Sequence, residues 1–169
     1  GCVGDFLTVT VTVRPEPVVA TNLDETLCSD LAYGKLMATN GVSVGAASYD
    51  VTAVVDAGLA GVATTGNTLA ANAIQANVFT NTTSTQLLVV YTLTPNGTNG
   101  CIGDAKVVTF RVNPEPVLEP QLLPDICSNN TDNPTIANIV LGTNGVSVNA
   151  GTYQLTAIEF KRASDAGFN

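Results

Sequence analysis

Apolar and polar residues alternate along several short stretches of the chain, and this period of two predicts β-strands. Between residues 6 and 13, Val9, Val11 and Val13 alternate with threonines, so the valines are expected on one face of a strand and the threonines on the other. Further strands are predicted at 42–44, 49–55, 87–94, 106–112 and 146–148. The strands at 87–94 and 106–112 are expected to form an antiparallel hairpin that closes a domain.

Turn signals separate these strands. Asn40-Gly41 and Asn144-Gly145 each precede a short Val-Ser-Val stretch. The segment from Leu69 to Phe79 has some helical character, but its flanking Thr and Asn residues favour strand or loop. Short strands at this spacing predict an all-β chain made of two-sheet sandwiches of immunoglobulin type, each of about 100 residues. There is no Trp, so the Cys–Trp–Cys core of antibody domains is absent.

The chain also repeats itself. Its first 17 residues, GCVGDFLTVTVTVRPEP, recur with changes as GCIGDAKVVTFRVNPEP at 100–116, and Cys28-Ser29 recurs as Cys127-Ser128. Residues 39–44 recur at 143–148, after an insertion in a polar, turn-rich stretch. The Pro-Glu-Pro segments are interpreted as extended linkers between domains. We therefore predict immunoglobulin-like repeats in tandem, out of phase with the ends of the sequence: 1–14 is the closing strand of a preceding repeat, 15–114 a complete repeat, and 115–169 the first half of a following repeat. The sequence is interpreted as a fragment of a longer protein.

Residues 91–116, YTLTPNGTNGCIGDAKVVTFRVNPEP, followed by Ile126-Cys127-Ser128, resemble a known type of repeat. They are similar to the PKD-like, immunoglobulin-like repeats of giant secreted surface proteins of Bacteroidota, of adhesin or gliding-motility type. The resemblance implies an extended array of β-sandwiches at the cell surface. It implies no catalytic or ligand-binding residue.

Four cysteines allow three complete pairings. The strand order places Cys101 in the loop between the last two strands, and Cys28 is expected at the same end of the domain. We therefore favour a Cys28–Cys101 disulfide, with Cys2 and Cys127 paired to flanking repeats. The alternative joins Cys2 to Cys28 and Cys101 to Cys127, which would link successive domains. Either pairing requires an oxidising compartment.

Composition argues against several functions. The net charge is −8 and the isoelectric point is near 4.1, which argues against nucleic acid or anionic lipid as partners. The chain has no His, so Ser-His-Asp and Cys-His catalysis are impossible, and a structural zinc site is not expected. Calcium ligands could come from Asp24, Asp30, Asp132 and Asn133, but these are too few and too widely spaced to predict a site. No enzyme activity, cofactor, metal site or membrane insertion is therefore predicted.

The sequence thus predicts a non-catalytic structural or adhesive repeat of a secreted, extracellular surface protein or filament. The alternative is a carbohydrate-binding or calcium-binding β-sandwich. The expected partners are neighbouring repeats of the same protein. Head-to-tail self-association is a further prediction, in which the strand at 7–13 of one copy completes the half repeat of another.

Overall fold

The computed structural model describes residues 1–120 and 141–156, and the regular elements within them are seven β-strands and no helix. Five strands form one sheet in the order β1-β7-β6-β2-β4, and β3 pairs with β5 in a second, two-stranded sheet. The all-β prediction and the immunoglobulin-like sandwich are confirmed. The strands are β1 (Glu25–Cys28), β2 (Ala46–Val55), β3 (Leu59–Ala60), β4 (Gly66–Leu69), β5 (Thr80–Asn81), β6 (Leu87–Gly97) and β7 (Lys106–Asn113).

The core lies on one face of the five-stranded sheet, where alternate residues of the central strands are buried. Loop segments that cross this face cover it, as Tyr33 shows by stacking on Phe110 with ring centroids 4.0 Å apart. Burying each of these aliphatic or aromatic side chains stabilises the fold by about 1.5–3 kcal/mol relative to leaving it exposed. The sheet supplies Val51, Val89, Tyr91, Leu93, Val108, Phe110 and Val112, and the covering layer supplies Leu23, Tyr33, Met37, Ile74 and Phe79.

The predicted closing hairpin is confirmed, because β6 and β7 pair antiparallel from Leu87↔Val112 to Leu93↔Lys106. However, β6 continues through Pro95 to Gly97, whereas the sequence predicts a loop from Pro95 onwards. The Pro95 carbonyl accepts from Gly103 N at 2.9 Å, so it points towards the β6–β7 loop and away from β2. The missing Pro95 N–H therefore removes no bond from the ladder with β2.

Two other local predictions have different outcomes. The strand predicted at 42–44 is wrong, because Asn40 Oδ1 accepts from Val42 N at 3.0 Å and from Ser43 N at 2.8 Å. An asparagine side chain that binds the backbone two and three residues onward makes a turn, and the chain bends there instead of pairing. Residues 71–76 form successive turns, which confirms the preference for loop over helix in this region.

Residues 6–13, predicted to be a strand, pair with no described part of the chain. Their side chains are exposed, with Val9 76%, Val11 79% and Val13 87% accessible. A strand is stabilised only by a neighbouring strand and a covered face. The assignment of this segment to a preceding repeat therefore stays a prediction.

The repeated stretches of sequence that begin at Val18 and at Val117 have the same local hydrogen bonds. Val18 N donates to Ser43 Oγ at 2.9 Å, and Val117 N donates to Ser147 Oγ at 2.9 Å. Asn144 Oδ1 accepts from Val146 N at 3.0 Å and from Ser147 N at 2.8 Å, so the chain bends here too and the strand predicted at 146–148 is also wrong. The similarity between the two stretches thus extends from their sequences to their local structure.

Candidate functional site

The features outside the core that the sequence repeats most closely lie at the two ends of the sandwich. We define the linker-binding end as residues 14–17 with the β6–β7 loop, 98–105. We define the exit end as residues 28–30 with residues 113–115, where the chain leaves β7. Because β7 runs from one end to the other, the chain enters the repeat at the linker-binding end and leaves it at the exit end.

At the linker-binding end, the first Pro-Glu-Pro segment is attached to the β6–β7 loop. Asn99 Nδ2 donates to the Pro15 carbonyl at 2.7 Å, and Arg14 Nη1 donates to the Asn99 carbonyl at 3.1 Å. Pro17 is fully buried. The first Pro-Glu-Pro segment is therefore part of the domain surface.

The glycines of the repeated Gly-Cys-x-Gly motif have a steric reason to be there. A Cβ placed on Gly103 would lie 1.9 Å from the Pro17 carbonyl oxygen, which only a hydrogen permits. Gly100 adopts a φ of +82°, which is unfavourable for residues with a side chain. Gly103 and Pro17 belong to different motifs in the sequence, and the fold brings them into contact.

At the exit end, Asn81 joins three segments of chain. Its Nδ2 donates to the Val112 carbonyl at 2.8 Å and to the Thr85 carbonyl at 2.9 Å. Its backbone N–H donates to Ser29 Oγ at 2.8 Å, and its carbonyl accepts from Glu115 N at 2.9 Å. Asn81 is completely buried, so the backbone at Glu115, in the second Pro-Glu-Pro segment, is bonded to the interior of the sandwich.

Two carboxyl groups approach each other beside this junction. Desolvation raises the pKa of Glu115, and the charge of Asp30 and hydrogen bonding with it raise that pKa further. Asp30 also accepts from Thr80 Oγ1 at 2.6 Å and adopts a φ of 65°. The pair occupies the place where the linker leaves the sheet.

The predicted Cys28–Cys101 disulfide is not formed, because the fold places the two residues too far apart. Cys2, Cys28 and Cys101 are free thiols. The sequence placed Cys28 and Cys101 at one end of the domain, but β1 pairs parallel with β7 and sets Cys28 opposite Asn113. Cys101 precedes β7, whose eight residues span about 23 Å at 3.3 Å per step. A disulfide needs Cα atoms about 4.4–6.8 Å apart, so these two cysteines cannot be joined within one repeat.

The remaining candidate residues are not brought together. Asp24 Oδ1 accepts from Thr109 N at 3.0 Å beside the start of β1, whereas Asp30 lies beyond its end. Cys127, Asp132 and Asn133 lie outside the described residues. Within the described residues, no group of three or more His, Cys, Asp or Glu side chains could hold a metal ion.

Most described aromatic side chains are buried and cannot stack against a sugar; the exceptions are Phe6, which is 98% exposed, and Tyr153, which is 41% exposed. Tyr33, Tyr49 and Tyr91 are buried in the core, where burial raises the pKa of each phenol. Asn81, which fits the N-glycosylation pattern, uses both amide atoms inside the fold and is inaccessible to modification. No helix in the described part of the chain could cross a membrane.

Sequence reasoning missed the residues that fix the linkers. Asn81 and Asn99 are two of many asparagines in a chain rich in them, and nothing local marks one as buried. The recurrence of Gly103 as Gly4 and of Pro17 as Pro116 was visible, but only the fold shows that these positions touch.

Comparison with known proteins adds one finding. The family model of the PKD-like domain matches residues 25–116. The match includes all seven strands and ends in the second Pro-Glu-Pro segment. No curated protein and no solved structure matches the chain.

Proposed function

The chain belongs to the PKD-like domain family, and we propose that it is a structural and adhesive repeat module of an extended extracellular surface protein or filament. PKD-like domains are commonly structural or adhesive extracellular modules and are generally non-catalytic. The sequence resemblance supports a surface protein of the adhesin or gliding-motility type. In this function the repeat acts as a spacer, and weak contacts add up over many copies.

The observation that carries this proposal is the attachment of a linker at each end of the sandwich. The first linker is bonded to the β6–β7 loop through Asn99, and the second begins at Glu115, which is bonded to Asn81. These two attachments lie at opposite ends of β7. Repeats joined in this way would follow one another end to end and form a rod, as a spacer requires.

The proposed partners are the neighbouring repeats. Residues 6–13, which pair with no described part of the chain, carry three exposed valines at alternate positions, which suits the closing strand of a preceding repeat. The same strand could complete a repeat of another copy, which would give head-to-tail association. The net charge of −8 gives no attraction to nucleic acid or to anionic lipid.

Small-angle X-ray scattering tests the rod directly. At the offset of 104 residues that relates 143–148 to 39–44, Asn169 is equivalent to Thr65, so a copy of residues 66–113 appended after Asn169 is designed to supply the remaining strands of a second repeat. Each repeat measures about 33 Å along β6, from the ten steps between its 11 residues at 3.3 Å per step. We expect the extended chain to have a maximum dimension of at least about 65 Å, for two such repeats in line. A compact particle with a radius of gyration near 17 Å, about that of a single globule of this length, would refute the proposal.

A further inference from the structure

The two cysteines of the complete repeat lie at opposite ends, and each lies beside a linker. Cys28 is exposed at the exit end, where the next residue, Ser29, donates its N–H to the Asn113 carbonyl at 3.1 Å. Cys101 is half-buried in the loop that binds the first linker, and its N–H donates to Asn99 Oδ1 at 3.1 Å. Both cysteines therefore face junctions between repeats.

The contacts of Arg14 relate the two ends to one another. Arg14 occupies the position equivalent to Asn113, and Asn113 is the partner of Cys28 in the parallel ladder. The equivalent of Cys28 in a preceding repeat would thus lie one strand spacing, about 4.8 Å, from Arg14. Arg14 is itself bonded to Asn99, two residues before Cys101. One thiol from each of two successive repeats would consequently lie at the same junction.

Resting on the proposed end-to-end arrangement, we propose that a disulfide joins each pair of successive repeats. Cys28 is bonded to the β6–β7 loop cysteine of the following repeat, and Cys101 is bonded to the equivalent of Cys28 in the preceding one. The partner in each case is another copy of the same repeat. With the docked linker, each junction then has two covalent connections, which resist bending and pulling.

This pairing gives none of the four cysteines a partner among the other three. Cys2 is equivalent to Cys101 and belongs to the linker-binding end of a preceding repeat. Cys127 is equivalent to Cys28 and belongs to the exit end of a following one. The pairings Cys2–Cys28 and Cys101–Cys127 would each have to span two repeats placed end to end. The three described cysteines are accordingly free.

The chemistry is an ordinary thiol oxidation. The two thiols lose two protons and two electrons as the S–S bond forms, and a disulfide oxidant accepts them; oxidised glutathione is the oxidant in the test. The exposure of Cys28 and the position of Cys101 in a loop leave both sulfurs open to exchange.

The test uses the chain extended after Asn169 by a copy of residues 66–113, refolded in reduced and oxidised glutathione. Non-reducing tryptic mapping should recover Cys28 linked to the appended copy of Cys101 in most molecules. Cys28→Ser should abolish that cross-linked peptide, and the matched variant Cys2→Ser should leave its yield unchanged. A Cys28–Cys101 peptide, or Cys28 left reduced in the folded extended chain, would overturn the proposal.

The 1–169 chain gives a second measurement that needs no extension. After the same oxidation, Cys28 and Cys101 of the monomer should both remain reactive towards a maleimide, and protection of both through an intramolecular bond would overturn the proposal. Scattering separates the two ideas. An extended particle without the cross-link would support the proposed function and refute the disulfide. A compact particle with the cross-link would refute the proposed function and support the disulfide.

Discussion

Replacing Gly103 with alanine tests the idea that the linker is built into the domain. The new Cβ would lie 1.9 Å from the Pro17 carbonyl oxygen and 2.9 Å from Pro95 Cγ. Pro17 is backbone-restricted and buried, and Pro95 lies in a central strand, so neither atom belongs to a flexible side chain that could turn away. The linker must move off the β6–β7 loop.

The magnitude follows from what that movement breaks. Overpacking in a close-packed region costs about 1–3 kcal/mol. Undocking also loses the Asn99–Pro15 hydrogen bond of 2.7 Å, whose net contribution is about 0.5–1.5 kcal/mol. Because undocking relieves part of the clash, the two costs do not add fully. We expect the free energy of unfolding to fall by about 2–3 kcal/mol.

Urea unfolding of the full chain, followed by circular dichroism, measures this loss. Gly45→Ala is the matched control, because a Cβ on Gly45 would meet no atom within 4 Å and its φ lies outside the left-handed region. The control should stay within about 0.5 kcal/mol of the parent, as surface substitutions usually do. If Gly103→Ala is as stable as Gly45→Ala, the linker is not docked as described.

Three further predictions concern the core, pH and self-association. Asn81→Ala should lower the free energy of unfolding by about 2–4 kcal/mol in urea titrations, because four side-chain hydrogen bonds are lost and buried carbonyls are left unpaired. The exposed control Asn67→Ala should change the free energy of unfolding little. Equal effects of the two substitutions would contradict the role of Asn81. Burial raises the pKa of Tyr33 from 10.0 to about 12, so the stability from its neutral phenol is complete below pH 10 and is lost as the pH rises towards 12. Unfolding at a series of pH values should show this loss weakened in Tyr33→Phe, and an unchanged alkaline slope would contradict it. Dynamic light scattering should show concentration-dependent association of the chain that disappears when residues 1–14 are deleted; two monomeric proteins at high concentration would rule out strand donation.

The sheet was predictable because its signal is local. The alternation at 49–55 and 106–112 puts Val51, Val108 and Val112 on the buried face, and the structure has them there. The second layer was not predictable in this way, since Tyr33, Met37 and Ile74 come from segments without regular alternation. They are buried because their segments cross the apolar face of the sheet, and no local pattern marks those segments.

The disulfide prediction failed for a topological reason. Sequence spacing shows that Cys28 follows a linker and that Cys101 precedes a strand, but it does not give the direction in which β1 pairs. The prediction treated the opening segment as too short to cross the domain. In the structure, β1 runs parallel to β7 and carries Cys28 to the far end. A single choice of strand direction therefore decides between a link within a repeat and a link between repeats.

The distance between Cys28 and Cys101 tests the central claim, that a repeat carries its two junctions at opposite ends. Both cysteines can be spin-labelled in the full chain after Cys2→Ser and Cys127→Ser, and the separation measured by double electron–electron resonance. We expect a distance of about 25–35 Å, since the β7 strand of about 23 Å separates the two ends and the labels add to it. A distance below about 15 Å, or a spontaneous bond between the two thiols, would place both cysteines at one end and contradict the account.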